Sequence, residues 1–411
     1  MVENGGEYYD RQEVREPEQR AAQMFTALPG LIRHAIDNAP AMAAHLDGVD
    51  AAAVTTPEAL AQLPILRKAE LFDRQAAQPP FGGLAATPVA RLSHVFVSSG
   101  PLAEPEGVRT DYWRFARALF AAGFRTGDLI HNAFPYHLTP AGMMVEAGAR
   151  ALGCPVVPAG TGQTLRQLEA IARLKPVCYT GTPSFLRTLV EEAAKAGEPA
   201  SFARALVSGA PLDDAWRDAL RTRHGVEVFQ CYATPDLGLV AYESTPRDGL
   251  IVDEAVIVEI VDPTTGEPVA NGEVGELVVT SFNPDYPLIR FATGDLSAFI
   301  DGVSACGRTN RRLRGWLGRA DKSAKVSGLF VHPHQVDAIL ARHALARGRL
   351  VVERLNGHDR LRLVVEGPST SGLAEALGAT VKEVTTLKGE VEIVAPGTLA
   401  DDGKVIDDRR D

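Results

Sequence analysis

A chain of 411 residues exceeds the size at which one hydrophobic core stays efficient, so two or more domains are expected. Hydrophobic residues at 45% and charged residues at 23% give an ordinary globular balance, and the net charge of -10 argues against a nucleic-acid backbone as partner. No apolar run of about 18 residues predicts a membrane span, and the polar, acidic start MVENGGEYYD predicts no secretory signal. Cys154, Cys178, Cys231 and Cys306 show no C-x-x-C spacing. Neither a zinc knuckle nor a disulfide framework is expected, and a reducing cytoplasm fits.

Residues from about 17 to 74 read as helical, with Met24, Leu28, Leu31 and Ile32 near helical spacing. From Arg91 a repeating scheme begins. RLSHVFVSSG is expected to be a strand entering a small-residue loop, and DYWRFARALFAAG a helix with Thr110 as N-cap and Gly123 as stop. The strands DLIHNAFP, CPVVPAG, VCYTGTP and ALVSGAP then alternate with the helices AGMMVEAGARALG, TLRQLEAIARLK and PSFLRTLVEEAAKAG. Such alternation predicts parallel βαβ units with ligands at the carboxyl ends of the strands. Near Ile251 the pattern changes. AVIVEIVDPTTGEPVANGEVGELVVTSF alternates apolar and polar residues around Pro-Thr-Thr-Gly and Ala-Asn-Gly, which predicts antiparallel hairpins. After Gly318 a smaller pattern restarts. The expected fold class is α/β: a large multi-layer N-terminal domain over 1–317 with a mostly parallel sheet and a β-hairpin subdomain, then a small α+β domain over 318–411.

Six segments carry candidate chemistry. Ser98-Ser99-Gly100 follows a strand, where backbone N–H groups and hydroxyls can approach phosphate. Ser208-Gly209-Ala210-Pro211 is a second strand-to-turn segment. Tyr232 and Asp236 end an apolar strand, a pattern suited to a flat base on a ring beside a cation-binding carboxylate. Asp295 lies in a Gly turn, where a carboxylate can accept two bonds from a vicinal diol such as ribose. Arg319 and Asp321 open the small-domain pattern, and Lys404 stands near the C-terminus. Each has an ordinary alternative: Tyr232 as core, Asp236 as N-cap, Asp295 as turn residue and Lys404 as solvated charge.

Together and in this order the segments resemble the acyl-adenylate-forming superfamily, and within it the phenylacetate–CoA ligase branch. Its SSGTTGKP matches Ser98 to Pro105, its TGG…LG…P-SGGQT matches AGMMVEAGARALGCPVVPAGTGQT, and its GAEPW turn matches Ser208 to Trp216. Its YGLSE matches Tyr232 to Asp236, its YRTRDLT matches Phe291 to Ser297, and its GRSDDMLIIRGVNVFP aligns without gaps from Gly318 to Pro333. The resemblance covers about residues 60 to 408.

The resemblance implies an AMP-forming ligase that activates a carboxylic acid, aryl or branched, with ATP and magnesium and passes the acyl group to CoA. It implies that Ser98, Ser99 and Gly100 face the phosphates and that Ser208, Gly209, Ala210 and Pro211 border the adenine. Tyr232 would stack near the base, Asp295 would hold the ribose and Arg319 would reach the nucleotide. Asp236 stands where the family has a magnesium-binding Glu. Asp321 matches the hinge of a mobile C-terminal domain, and Lys404 matches a Gly-Lys whose ammonium bridges carboxylate and α-phosphate during adenylation. Phe134, Tyr136 and His137 would line the acyl pocket. A small carboxylic acid is the implied partner, with no nucleic acid and no membrane, and a homodimer is admitted.

The chain departs from the family at the phosphate loop. Thr-Thr-Gly-Lys becomes Pro101-Leu102-Ala103-Glu104, which removes two hydroxyls, a cation and a backbone donor. An anion at Glu104 within about 5 Å of a triphosphate would cost on the order of 1–3 kcal/mol. Two other classes therefore stay open on the sequence. One is a relative that binds nucleotide, acyl-adenylate or CoA without adenylating; the other is an acyl transferase to an amine or carrier protein.

Overall fold

The computed structural model describes residues 7–98, 102–320, 324–327, 329–331, 333–355, 357–368, 370–400 and 404–410. Two compact units divide the chain, one ending at Gly318 and the other starting at Arg319. The first unit begins with α1 (Pro17–Asn38), α2 (Pro40–His45) and α3 (Pro57–Ala61). Each has proline in its first turn, where the missing N–H would have had no helical partner. α1 buries Leu28, Leu31, Ile32 and Ala35, the apolar stripe that the helical spacing predicts. Next come β1 (Leu66–Arg67) and α4 (Leu71–Ala77), then a hairpin of β2 (His94–Val97) and β3 (Ala103–Glu106).

The helix expected from Thr110 starts later, as α5 (Phe115–Ala121). Asp111, not Thr110, satisfies its first donors: the carboxylate accepts from the N–H groups of Phe115 and Ala116 at 2.8 and 3.0 Å. Asp111 is the better acceptor here because its carboxyl has two oxygens to share between two donors, where a threonine hydroxyl has one.

The strand–helix alternation is realised by β4 (Ile130–Asn132), α6 (Ala141–Leu152), β5 (Val156–Pro158), α7 (Thr164–Leu174) and β6 (Cys178–Gly181). It continues with α8 (Pro183–Lys195), β7 (Arg204–Val207), α9 (Asp214–His224) and β8 (Glu227–Thr234). Strands β8, β7, β6, β4 and β5 run parallel in that spatial order. The chain then passes through β9 (Gly238–Tyr242), β10 (Leu250–Val252), β11 (Val256–Val261), β12 (Gly275–Ser281), β13 (Phe291–Ser297), β14 (Phe299–Ile300) and β15 (Arg312–Leu313). Antiparallel β9, β10, β15 and β14 extend the parallel half to nine strands. Phe115, Phe120, Met144 and Leu152 from α5 and α6 close over Leu239 and Ile251 in one core.

A second sheet has the order β1-β13-β12-β11. β1 is parallel to β13, with Leu66 opposite Phe291 and Arg67 opposite Ala292. This alignment depends on Arg290, which is 2% exposed and left-handed at φ 46°. Its guanidinium donates to the carbonyls of Ala61 and Leu63, both at 2.6 Å, and to Gly266 at 3.1 Å, and it pairs with Glu259 at 3.0 Å. Its own carbonyl accepts from Leu66 N–H. One buried cation thus fixes the loop before β1 against the start of β13.

The second unit holds a hairpin of β16 (Ala324–Val326) and β17 (Leu329–Val331) and helix α10 (Pro333–Arg342). It continues with β18 (Arg347–Leu355), β19 (His358–Glu366), α11 (Leu373–Thr385), β20 (Gly389–Val394) and β21 (Ile406–Asp408). The last four strands form a sheet in the order β20-β19-β18-β21. Val336 and Ile339 of α10 and Leu377 and Val381 of α11 pack on Leu350 and Leu363 in a core of its own.

Two outcomes test this account. Arg290→Met removes the cation but keeps the stem, leaving Glu259 and three carbonyls without their donor. The loss should be about 3–5 kcal/mol, read from the urea transition of the larger unit. Burial also pushes the Asp111 carboxyl from 3.8 up to about 7, against the pull of its two backbone donors. An acid whose folded pKa is raised favours the protonated fold, so this contribution is present at low pH and declines as pH rises from about 4 through 7. The melting temperature should therefore fall between pH 6 and pH 8, and Asp111→Asn should reduce that fall.

Candidate functional site

The carboxyl ends of β7 and β8 are joined side by side. Val207 is opposite Gln230, and the Ser208 hydroxyl donates to the Cys231 carbonyl at 2.8 Å. Ser208, Gly209 and Ala210 form a half-buried turn, with Gly209 left-handed at φ 84°, a conformation that suits glycine. Pro211 is exposed behind them. The next residue of β8 is Tyr232, which is half-buried.

The Tyr232 hydroxyl donates to Asp295 Oδ2 at 2.6 Å, and Trp316 Nε1 donates to Asp295 Oδ1 at 2.9 Å. Asp295 is 5% exposed on β13, with its backbone N–H turned onto Thr293 Oγ1 at 3.1 Å. Two rigid aromatic donors from different elements therefore fix the plane of one buried carboxylate. A small cavity opens beside it, lined by Tyr232, Asp295, Ser297, Gly315 and Trp316. A carboxylate accepts from about four directions, so orientation by two donors is compatible with holding a diol. Trp316 was missed by the sequence reading, although a tryptophan between Gly315 and Leu317 is the kind of signal that could have found it.

A second cluster lies where the hairpin meets β1 and the β8–β9 turn. In the hairpin Phe96 stands opposite Glu104, so both side chains share one face, and both are buried at 6% and 1%. Val95 and Val97 alternate onto the other face and are exposed. The expectation of Glu104 as an anion facing the nucleotide is thereby corrected: strand pairing turns it inward. Gln75 of α4 clasps the hairpin, with its amide donating to the Ala103 carbonyl at 2.9 Å and accepting from Ala103 N–H at 2.7 Å. Ser98 is 7% exposed and directs its hydroxyl at Glu104 Oε1, 3.2 Å away, and not outward as expected. Ser99 and Gly100 lie outside the described residues.

Asp236 is 2% exposed, and its Oδ2 accepts from the Lys68 ammonium at 2.5 Å. Asp236 does not cap a helix; it sits in the tight turn between β8 and β9. Asp236 Oδ1 and Glu104 Oε2 are both buried and accept from no N–H or O–H. Burial first, then the neighbouring Asp236 charge, holds the Glu104 carboxyl well above the usual carboxylate range, with Lys68 and Ser98 opposing. Glu104 and Asp236 are thus two buried acids facing each other, a pairing that favours protonation of Glu104 over a second negative charge. Lys68 gave no signal in the sequence, because a lone lysine in LRKAEL resembles any solvated charge.

The family's magnesium does not fit these residues. Asp236 already carries an ammonium, its side chain has no exposure, and magnesium keeps several waters in an octahedral shell. Among the described residues no group of three or more His, Cys, Asp or Glu side chains is placed to hold a metal ion.

Of the residues expected to line an acyl pocket, Phe134 is buried and His137 exposed. The Tyr136 hydroxyl accepts from Asn132 at 2.8 Å and donates to Glu146 at 3.1 Å, which ties the ring to α6. Their loop also reaches the hairpin edge: Val97 N–H donates to the Leu138 carbonyl at 2.8 Å. In the second unit Arg319 is half-buried. The Lys404 ammonium lies 3.4 Å from Asp407 Oδ1, and its carbonyl accepts from Arg349 at 2.9 Å. Asp321, the expected hinge, lies outside the described residues.

With this geometry in place, the sequence matches the family described as AMP-binding enzyme over residues 29–283. The chain belongs to that family. It is 34% identical over 358 residues to phenylacetate–coenzyme A ligase of Thermus thermophilus, covering 82% of this chain and 79% of that protein. It is 30% identical over 399 residues to the Escherichia coli protein of the same name, covering 90% and 89%. Among solved structures it is similar to 2-hydroxyisobutyryl-CoA ligase in complex with 2-HIB-AMP and CoA, at 25% identity and a TM-score of 0.93, covering 100% of this chain and 94% of that one. Among the described residues, no helix is long and apolar enough to cross a membrane.

Protonation of Glu104 has a direct test. Glu104→Gln keeps an acceptor for Ser98 and a donor for Asp236, so it should cost well under about 1 kcal/mol. Glu104→Ala leaves both partners unsatisfied in a buried place and should cost about 1–3 kcal/mol by urea unfolding. Equal losses in the two variants would mean that Glu104 is not the donor to Asp236.

Proposed function

We propose that this AMP-forming acid–CoA ligase holds the adenosine end of its nucleotide at the Tyr232–Asp295–Trp316 cluster and the adjoining Ser208–Pro211 turn. The observation that carries this reading is the Asp295 carboxylate, buried yet oriented by two aromatic donors beside a cavity. A carboxylate preorganised in this way can bond the ribose diol without first reorganising.

The reaction has two steps. A carboxylate oxygen of the acid attacks the α-phosphorus of ATP, the bond to the β-phosphate breaks, and pyrophosphate leaves. The CoA sulfur, having lost its proton, then attacks the acyl carbon, and AMP leaves with the electron pair of the anhydride C–O bond. On the resemblance, Lys404 supplies positive charge in the first step, Arg319 contacts the nucleotide, and Asp321 is the hinge between the steps. The acid is aryl or branched, a choice supported by the aromatic character of the Phe134–Tyr136 loop. Four free cysteines support a cytoplasmic setting, and the family resemblance admits a homodimer.

The test combines binding with half-reactions. Asp295→Ala should weaken AMP and ATP alike by calorimetry, by about 1.5–3 kcal/mol. Lys404→Ala should slow pyrophosphate release from ATP and a panel of aryl and branched acids by about 10²–10³, mainly in kcat. Thioester formation from synthetic acyl-adenylate and CoA should survive that change. An Asp295→Ala protein that binds AMP as well as the parent would place the nucleotide elsewhere.

A further inference from the structure

The cluster of Lys68, Asp236 and Glu104 lies at a position that the family gives to a metal, and its chemistry is that of a closed pair. Lys68 follows β1, whose parallel register on β13 points it toward the segment that carries Asp295. Its ammonium is 2.5 Å from Asp236 Oδ2. Asp236 Oδ1 and Glu104 Oε2 are both buried and accept no hydrogen bond from a backbone, ammonium or hydroxyl donor. A magnesium ion would need six ligands at about 2.0–2.1 Å, several of them water. The Asp236 side chain has 0% exposure, which leaves water no approach, and an ammonium already occupies one of its oxygens.

We propose that Lys68 takes, in this chain, the place of the divalent ion: its ammonium closes Asp236, and the protein forms no metal bond at this site. The proposal rests on the reading that this sheet edge binds the nucleotide. Any divalent ion that enters is then carried by the phosphates of the nucleotide alone. AMP and acyl-adenylate, which lack the β- and γ-phosphates, bind without one. The departure at Glu104 belongs to the same device. In place of the family's phosphate-loop lysine, a carboxyl turns inward beside Asp236, and among the described residues the cation of the cluster comes from Lys68. The charge at this point is built into the fold and does not depend on the supply of a dissociable ion.

The experiment titrates Mn2+ into the full chain and follows the free ion by its paramagnetic resonance signal, with and without saturating AMP. The parent should leave the signal undiminished at concentrations up to the order of 1 mM, where weak oxygen-ligand sites begin to fill. Lys68→Met keeps the stem and removes the ammonium, so it should gain about one Mn2+ per chain, bound at least about tenfold more tightly than by the parent. Adding Asp236→Asn to that variant should abolish the gain. Uptake of one Mn2+ by the parent that is lost in Asp236→Asn overturns the proposal, as does a folded Lys68→Met that takes up none. Should Lys68→Met fail to fold, the comparison of the parent with Asp236→Asn decides. Calorimetry with AMP runs alongside. A silent Mn2+ titration with no AMP binding removes the nucleotide reading and leaves the closed Lys68–Asp236 pair standing.

Discussion

A carboxylate withdrawn from water must be met by a cation or a proton, and at Asp236 both arrive together. Lys68 brings the cation from the turn that follows β1, and Glu104 of the hairpin, its carboxyl held well above the usual range by burial and by Asp236, favours the proton. The hairpin, the β8–β9 turn and the segment after β1 are therefore held by one electrostatic requirement. Relaxing any one of them would strand a charge whose removal from water costs several kcal/mol. The Gln75 clasp and the Arg290 anchor serve the same end, since they fix the two elements that deliver Glu104 and Lys68.

The Asp295 cluster obeys a different rule. Its carboxylate is oriented by neutral donors, Tyr232 and Trp316, and both are aromatic and rotationally poor. Such donors hold direction at little entropic cost, whereas a flexible cation would hold charge but not direction. The larger unit thus buries one acid against a cation and orients another with aromatic donors.

Much of the architecture was legible in the sequence because its signals are local. Alternating strands and helices after Arg91, the Pro-Thr-Thr-Gly turn between β11 and β12, and the restart after Gly318 are patterns of period and turn chemistry. The adjacency of Ser208 and Tyr232 followed from two strand ends in succession. Illegible were the contacts made by distant residues of common type. Lys68 looks like any surface lysine until β1 is paired with β13. Glu104 looks like a loop anion until Phe96 is found opposite it, which sets the face it occupies. Thr110 failed as a cap for a subtler reason: the adjacent Asp111 reaches the same donors with a stronger acceptor.

The Lys68–Asp236 pair joins residues 168 positions apart, and Arg290 reaches back 227 residues to Leu63. Contacts of such separation close large loops, and their entropy cost falls due before any local reward. A nascent chain that has completed the parallel strands still lacks β13, and with it the second edge of the site. The carboxylates of Glu104 and Asp236 can be buried only after the N-terminal segment has docked on a strand made more than two hundred residues later, Leu66 lying opposite Phe291. The order of synthesis therefore withholds the burial of this cluster until the larger unit is nearly whole.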